Sequence, residues 1–196
     1  MRISIRGKVL LAGACMMAGL GAWGQTPSLA KPASSSIDVA VTYDTVRGST
    51  VPGSSFWMQG GSVQFHGQFW RGLGVVADVA GVHTANMHNT GVGLDLITAT
   101  FGPRYTWQPK QKRMQFFGQA LGGVANGLNS VFPGAAGAQD SANSLALQVG
   151  GGMNVPVSRR VAVRAFEADW LRTQLPNATG SVQNNLRLGA GLVFKF

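Results

Sequence analysis

From residue 36 onward, apolar and polar residues alternate with a period of two in eight separate stretches. Period two sends successive side chains to opposite faces, so each stretch reads as a strand with one apolar and one polar side. The last stretch is the cleanest. Leu186, Leu188, Ala190, Leu192, Phe194 and Phe196 share one face, and Arg187, Gly189, Gly191, Val193 and Lys195 share the other. The first sets Ile37, Val39, Val41 and Tyr43 against Asp38, Ala40, Thr42 and Asp44. Residues 62–69, 74–80, 97–107 and 145–155 follow the same rule. Two stretches obey it less well. Residues 114–126 mix glutamine and aromatic residues on both faces, and residues 161–171 put Arg164 on one parity but Glu167 and Asp169 on the other. A β-bulge would reconcile the second case, and so would Arg164 snorkelling from a strand end.

The connections alternate in length. Short ones are expected at 71–72, 108–113 and 156–160, and long ones at 47–55, 85–91, 127–143 and 173–183. If both chain ends lie on one side, every short link falls there and every long link falls opposite, the asymmetry of outer-membrane barrels. Tilted strands need about 9–11 residues to cross a bilayer, a length each stretch supplies. In lipid, strands are admissible only in a closed barrel, because every backbone N–H and C=O must be paired. Eight strands leave a lumen that side chains just fill.

Composition decides which face meets what. Charged residues make up only 12%, against about 25% in an ordinary soluble domain. A water-soluble barrel needs a charged skin, whereas the polar face here is mostly Gly, Ser, Thr, Gln, Asn and Ala with isolated ions. That face suits a narrow packed lumen, and the apolar face suits lipid. The expected fold is therefore all-β, an eight-stranded antiparallel up-and-down transmembrane β-barrel over residues 36–196. Phe56, Trp57, Phe69, Trp70, Tyr105, Trp107 and Trp170 are expected to form interfacial girdles.

The first residues read as an address. Arg2, Arg6 and Lys8 precede an apolar run at 9–20 and the small residues Ala22 and Gly24. This is the layout of a secretory signal, and the run is too short to span as a helix. Residues 1–24 are expected to be removed, leaving 25–35 as a short periplasmic segment. The lone cysteine, Cys15, falls inside the signal, so the mature chain is expected to lack a disulfide, a thiol nucleophile or a cysteine metal site.

Few residues carry chemistry. Asp38, His66, Asp78, Arg104, Glu167, Asp169 and Arg187 are expected to face the lumen. Buried ions need partners, so they are expected to pair as a structural plug, with Arg104 and Arg187 facing carboxylates. His83 and His88 lie close in sequence but form no metal-ligand pattern. None of the three histidines precedes a serine by two places, as a barrel-type lipid deacylase would require. The Gly72-Leu73-Gly74-Val75-Val76-Ala77 run formally matches a dinucleotide fingerprint but leads into a strand pattern, not a helix. Arg71, Lys110, Lys112, Arg113, Arg159 and Arg160 all sit at predicted short turns, a poor groove for nucleic acid. No catalytic, cofactor-binding or metal residue is expected.

The terminal Leu188-x-Ala190-x-Leu192-x-Phe194-x-Phe196 resembles the assembly signal of bacterial outer-membrane proteins. Phe101-Gly102-Pro103-Arg104-Tyr105 and Glu167-x-Asp169-Trp170-Leu171 resemble strand motifs of the OmpA-type and OmpX-type small barrels. The resemblance implies a monomeric eight-stranded barrel in the cell outer membrane, inserted by the barrel-assembly machinery through its C-terminal strand. OmpA-type proteins often carry a peptidoglycan-binding domain after the barrel, which is not carried over because the sequence ends at Phe196. The expected role is structural or surface-interacting, with loops, chiefly 127–143, recognising any partner and no enzymatic activity. Weak contact of the basic turns with anionic lipid or cell wall is expected, and no nucleic acid. The alternative is a narrow channel or a binding or transport module for a small or hydrophobic solute. It requires a cavity between the luminal ions and the long loops. A lipid-modifying enzyme would need a convergent Ser/His/acid set.

Overall fold

The computed structural model describes residues 36–51, 54–87, 91–109, 114–134, 137–177 and 180–196. The expected signal and the segment at 25–35 lie outside them, as do Cys15, His88, Lys110, Lys112 and Arg113. The strands are β1 (Ser36–Val51), β2 (Ser54–Trp70), β3 (Leu73–Thr84), β4 (Leu94–Trp107), β5 (Gln115–Gly134), β6 (Gly137–Pro156), β7 (Val161–Thr173) and β8 (Gln183–Lys195). Each pairs antiparallel with its sequence neighbour, and β1 pairs with β8, from Asp38↔Lys195 to Arg47↔Leu186, to close the barrel. Closure removes every free edge through the body of the sheet, so its backbone groups pair internally.

Ser36 and Phe196 lie at one end, here the near end. The links there are short. Arg71 and Gly72 both have positive φ, +35° and +91°, as a two-residue hairpin turn matched to strand twist requires. At the 157–160 turn, the Ser158 hydroxyl accepts from the backbone N–H of Arg160 and Val161.

The far end departs from expectation. Residues 47–55 and 127–143 are mostly paired strand rather than loop: Gly48 pairs with Phe56, and β5 and β6 stay paired out to Gly134↔Gly137. Their Gly, Ser and Asn content hides the alternation, but hairpin pairing needs only backbone groups and tolerates polar side chains on both faces.

Facing follows the alternation. Ile37, Val41, Phe65, Val79, Ile97, Phe101, Val149 and Leu192 are outward and exposed, while Ala40, Gln64, Val76, Gln148 and Val193 are buried inside. The apolar outer band ends at the far side in a ring of outward polar residues: Gln59, His83, Asp95, Asn126, Asn143, Arg172 and Asn184. Exposed aromatics mark both margins, with Phe69, Trp70, Tyr105 and Trp107 at the near end and Trp57 and Trp170 toward the far end. Phe56 is the exception. Its neighbour Trp57 points outward, so parity turns Phe56 into the lumen, where it is buried.

The irregularity in β7 is a bulge. Arg164 and Glu167 face Gly191 and Gly189 of β8, so Ala165 and Phe166 together oppose the single residue between those glycines. The extra residue resets the parity, and Arg164, Glu167 and Asp169 all point inward.

Candidate functional site in the lumen

The lumen has three layers. At the near mouth, a polar cavity of about 170 Å³ is lined by Asp38, His66, Arg104, Gln115, Asn154 and Lys195, among others. His66 Nδ1 donates to Asp38 Oδ2 at 2.8 Å, and Lys195 Nζ donates to Gln115 Oε1 at 2.8 Å.

The middle layer is a plug. Arg104, Arg164 and Arg187 are buried there with Asp44, Asp78, Glu167 and Asp169. Arg187 Nη2 lies 2.7 Å from Asp78 Oδ2, and the same guanidinium lies 3.6 Å from both Glu167 and Asp169. Arg164 Nη1 donates to Glu167 Oε2 at 2.7 Å, a contact the bulge creates by turning both inward three residues apart. Arg104 does not follow expectation. Instead of a carboxylate it bonds the amide oxygens of Gln64 and Gln119, with Nε 3.1 Å from Gln119 Oε1. Those oxygens sit between it and the acids. The Phe117 ring supports it as well: the Arg104 and Arg164 guanidinium carbons lie 4.4 and 4.6 Å from the ring centroid, a cation–π arrangement.

Three glutamines tie the plug together, because an amide accepts through oxygen and donates through nitrogen. Gln64 accepts from Arg104 and Arg164 and donates to Glu167 at 2.8 Å and Asp78 at 3.3 Å. Gln119 donates to Glu167 at 2.8 Å and Asp169 at 3.1 Å. Gln148 donates to Asp78 at 3.1 Å and Asp169 at 3.0 Å. Glycine at 150 leaves the Asp169 carboxylate the inward space that a side chain there would fill. A Cβ there would lie 2.1 Å from Asp169 Oδ1 and 2.2 Å from the Ala168 carbonyl.

The far layer is apolar, where the leading sequence reading expected a polar, side-chain-filled lumen and the alternative required a cavity. Val46, Phe56, Met58, Val82, Leu94, Leu96, Phe132, Leu171 and Leu175 form one buried cluster inside the barrel. Within it lies a cavity of about 250 Å³. On the outer surface beside this layer, His83 Nδ1 and Asn129 Nδ2 both donate to Asp95. Those bonds, His83 first, hold the Asp95 carboxyl below its usual range.

This geometry has solved counterparts. The sequence matches no protein-family model and no curated protein. In structure it is similar to Neisserial surface protein A (NspA), with TM-score 0.60 and 17% identity over 82% of this chain and 97% of that one. It is similar also to Ail, the attachment invasion locus protein of Yersinia pestis, with TM-score 0.55 and 15% identity over 83% of this chain and 99% of that one. A second Ail structure, in complex with the heparin analogue sucrose octasulfate, gives TM-score 0.54 at 17% identity. The fold is that of the small eight-stranded outer-membrane β-barrels.

Within this outer-membrane barrel fold, six of the seven predicted luminal ions are buried, and Asp38 pairs with His66 at the near mouth. Four of them, Asp78, Glu167, Asp169 and Arg187, converge on one cluster, and Arg104 joins through glutamines. Asp44 was missed although it shares the parity of Asp38. Arg164 was not counted among the luminal groups, because sequence left open whether a bulge or a snorkelling strand end reconciles its parity; the bulge decides it. Leu188, Ala190, Leu192, Phe194 and Phe196 all face outward on the terminal strand or just beyond it.

Proposed function

We propose that this protein is a non-catalytic barrel of the bacterial outer membrane, with a closed lumen and a structural or surface-interacting role. The observation that carries this reading is its inside-out organisation. An apolar band faces outward between two aromatic margins, while charged and amide side chains fill the centre. In water that arrangement would expose the apolar band and bury the ions, losing on both counts. The near end is the periplasmic end, where Arg159 and Arg160 share a surface cleft with Phe194 and Phe196. That pairing of cations and aromatics suits an anionic lipid headgroup or cell-wall polymer. The outward residues Leu188, Ala190, Leu192, Phe194 and Phe196 serve as the signal read by the barrel-assembly machinery. The far hairpins, β5–β6 the longest, present the surface available to partners.

Two measurements test the reading. Envelope fractionation followed by gel migration with and without heating should show an outer-membrane protein that runs as a compact barrel when unheated. Recovery in a detergent-free soluble fraction overturns the placement. Planar-bilayer recording should give no ohmic conductance, and steady single-channel currents overturn the closed lumen.

A further inference from the structure

At its far end the lumen leaves a half-open cavity of about 250 Å³ beside its apolar cluster. The local architecture keeps that space shaped. Asn129 takes a positive φ of 56°, and the register shifts between Leu128 and Phe132. This bulge restores inward parity to Ser130 and Phe132, which are both buried. Phe132 then folds back over Gly127, where a Cβ would meet its ring at 2.6 Å and Leu175 at 3.3 Å. Gln183 is fixed in the wall: its side-chain oxygen accepts from Leu175 N–H and the Thr173 hydroxyl, and its amide donates to the Leu175 carbonyl at 2.7 Å.

We infer that this cavity is a binding site for a small neutral apolar molecule carrying one hydrogen-bonding group. An apolar cavity of about 150 Å³ takes a benzene, so this one suits about ten heavy atoms. Its walls are chiefly Phe56, Met58, Leu94, Leu96, Phe132 and Leu175, with Thr173, Gln183 and Asn185 on one side. No charged side chain lines it among the described residues, so an ionised ligand would shed its hydration with no counter-charge in return. A neutral hydroxyl or amide finds partners in the polar wall. Met58 and Met87, both in the lining, give the pocket unbranched side chains that adapt to different shapes. The site goes beyond the structural and surface role proposed above and does not depend on conduction, since the plug closes the lumen beneath it.

Methionine methyl NMR of the full chain in lipid nanodiscs tests this with 1-naphthol as the probe. Met58 and Met87 report the cavity, and Met114 and Met153, exposed or half-exposed near the other end, report partition into lipid. The Met58 and Met87 methyls should shift saturably while the other two stay still. Naphthalene-1-sulfonate should bind at least tenfold more weakly, and so should 1-naphthol to a cavity-filling Leu175→Phe protein. Ser130→Leu is the second filling variant, used if the first does not fold. Parallel, non-saturating movement of all four methyls overturns the site, as does full-strength binding to a filled variant. Equal binding of the sulfonate overturns the neutral ligand class. A protein that stays folded in nanodiscs and shows no Met58 shift refutes the cavity site alone and leaves the membrane reading intact.

Discussion

The middle and the far layers of the lumen both face inward in the same barrel, yet are built from different chemistry. The middle satisfies buried charge with charge and amide, whereas the far layer excludes charge and keeps its amides, Gln183 and Asn185, on one wall. In β2, two inward steps along one strand separate Gln64 from Gly60, and the next inward residue is Met58. In β4 the inward face changes from Leu94 and Leu96 to Thr98, Thr100 and Arg104. The difference teaches that parity fixes only whether a residue points inward. What it meets there depends on the opposite wall. The plug cross-links strands through directional bonds and resists passage, whereas the apolar layer gains chiefly from buried area and leaves a half-open cavity.

This contrast can be broken most severely at Arg187. Arg187→Met leaves Asp78, Glu167 and Asp169 without their shared cation. It should reduce the unfolding free energy in detergent or lipid by about 3–5 kcal/mol, measured by urea titration. An effect below a third of that would mean the carboxylates are not held by this arginine. In the far layer, Leu96→Ala removes packing without unpairing any charge and should cost about 2–3 kcal/mol. It should also enlarge the 1-naphthol site. A loss equal to that of Arg187→Met would erase the distinction between the layers. Arg104→Met sharpens the comparison within the plug. Its partners are amide oxygens, and Gln64 keeps its bond from Arg164, so about 1–2 kcal/mol is expected. A loss as large as that of Arg187→Met would show that Arg104 neutralises carboxylates at a distance. The smallest effect lies outside the apolar band. Bonds from His83 and Asn129 lower the Asp95 value in the folded state. Their support is therefore complete above the ordinary carboxylate value of 3.8 and is lost as pH falls through the lower folded value. His83→Ala should move the Asp95 titration upward, read by carboxyl carbon NMR, without reaching the ordinary value while Asn129 remains.

Sequence revealed the strands where alternation involves large residues. β8 and β4 were legible almost residue by residue, because Leu and Phe on one side and Gly, Thr and Arg on the other leave a single facing. It failed at the far hairpins, where Gly, Ser and Asn carry no facing information, and at Phe56, placed by its neighbours' aromatic character rather than by its own parity. The plug was half legible. Asp78 and Arg187 stood out as ions on an inward face, but Gln64, Gln119 and Gln148 read as filler. An amide becomes a hub only when donors and acceptors from other strands surround it.

The alternation, the small charged fraction and the short and long links determined a closed antiparallel barrel with its apolar side outward, because period two and backbone pairing are local properties. Only the tertiary structure decided which ions meet, that a two-residue bulge turns Arg164 toward Glu167, and that the far lumen is apolar with space to spare. Those outcomes depend on the stagger of strands distant in sequence, and stagger sets the distance between side chains that local pattern can only orient.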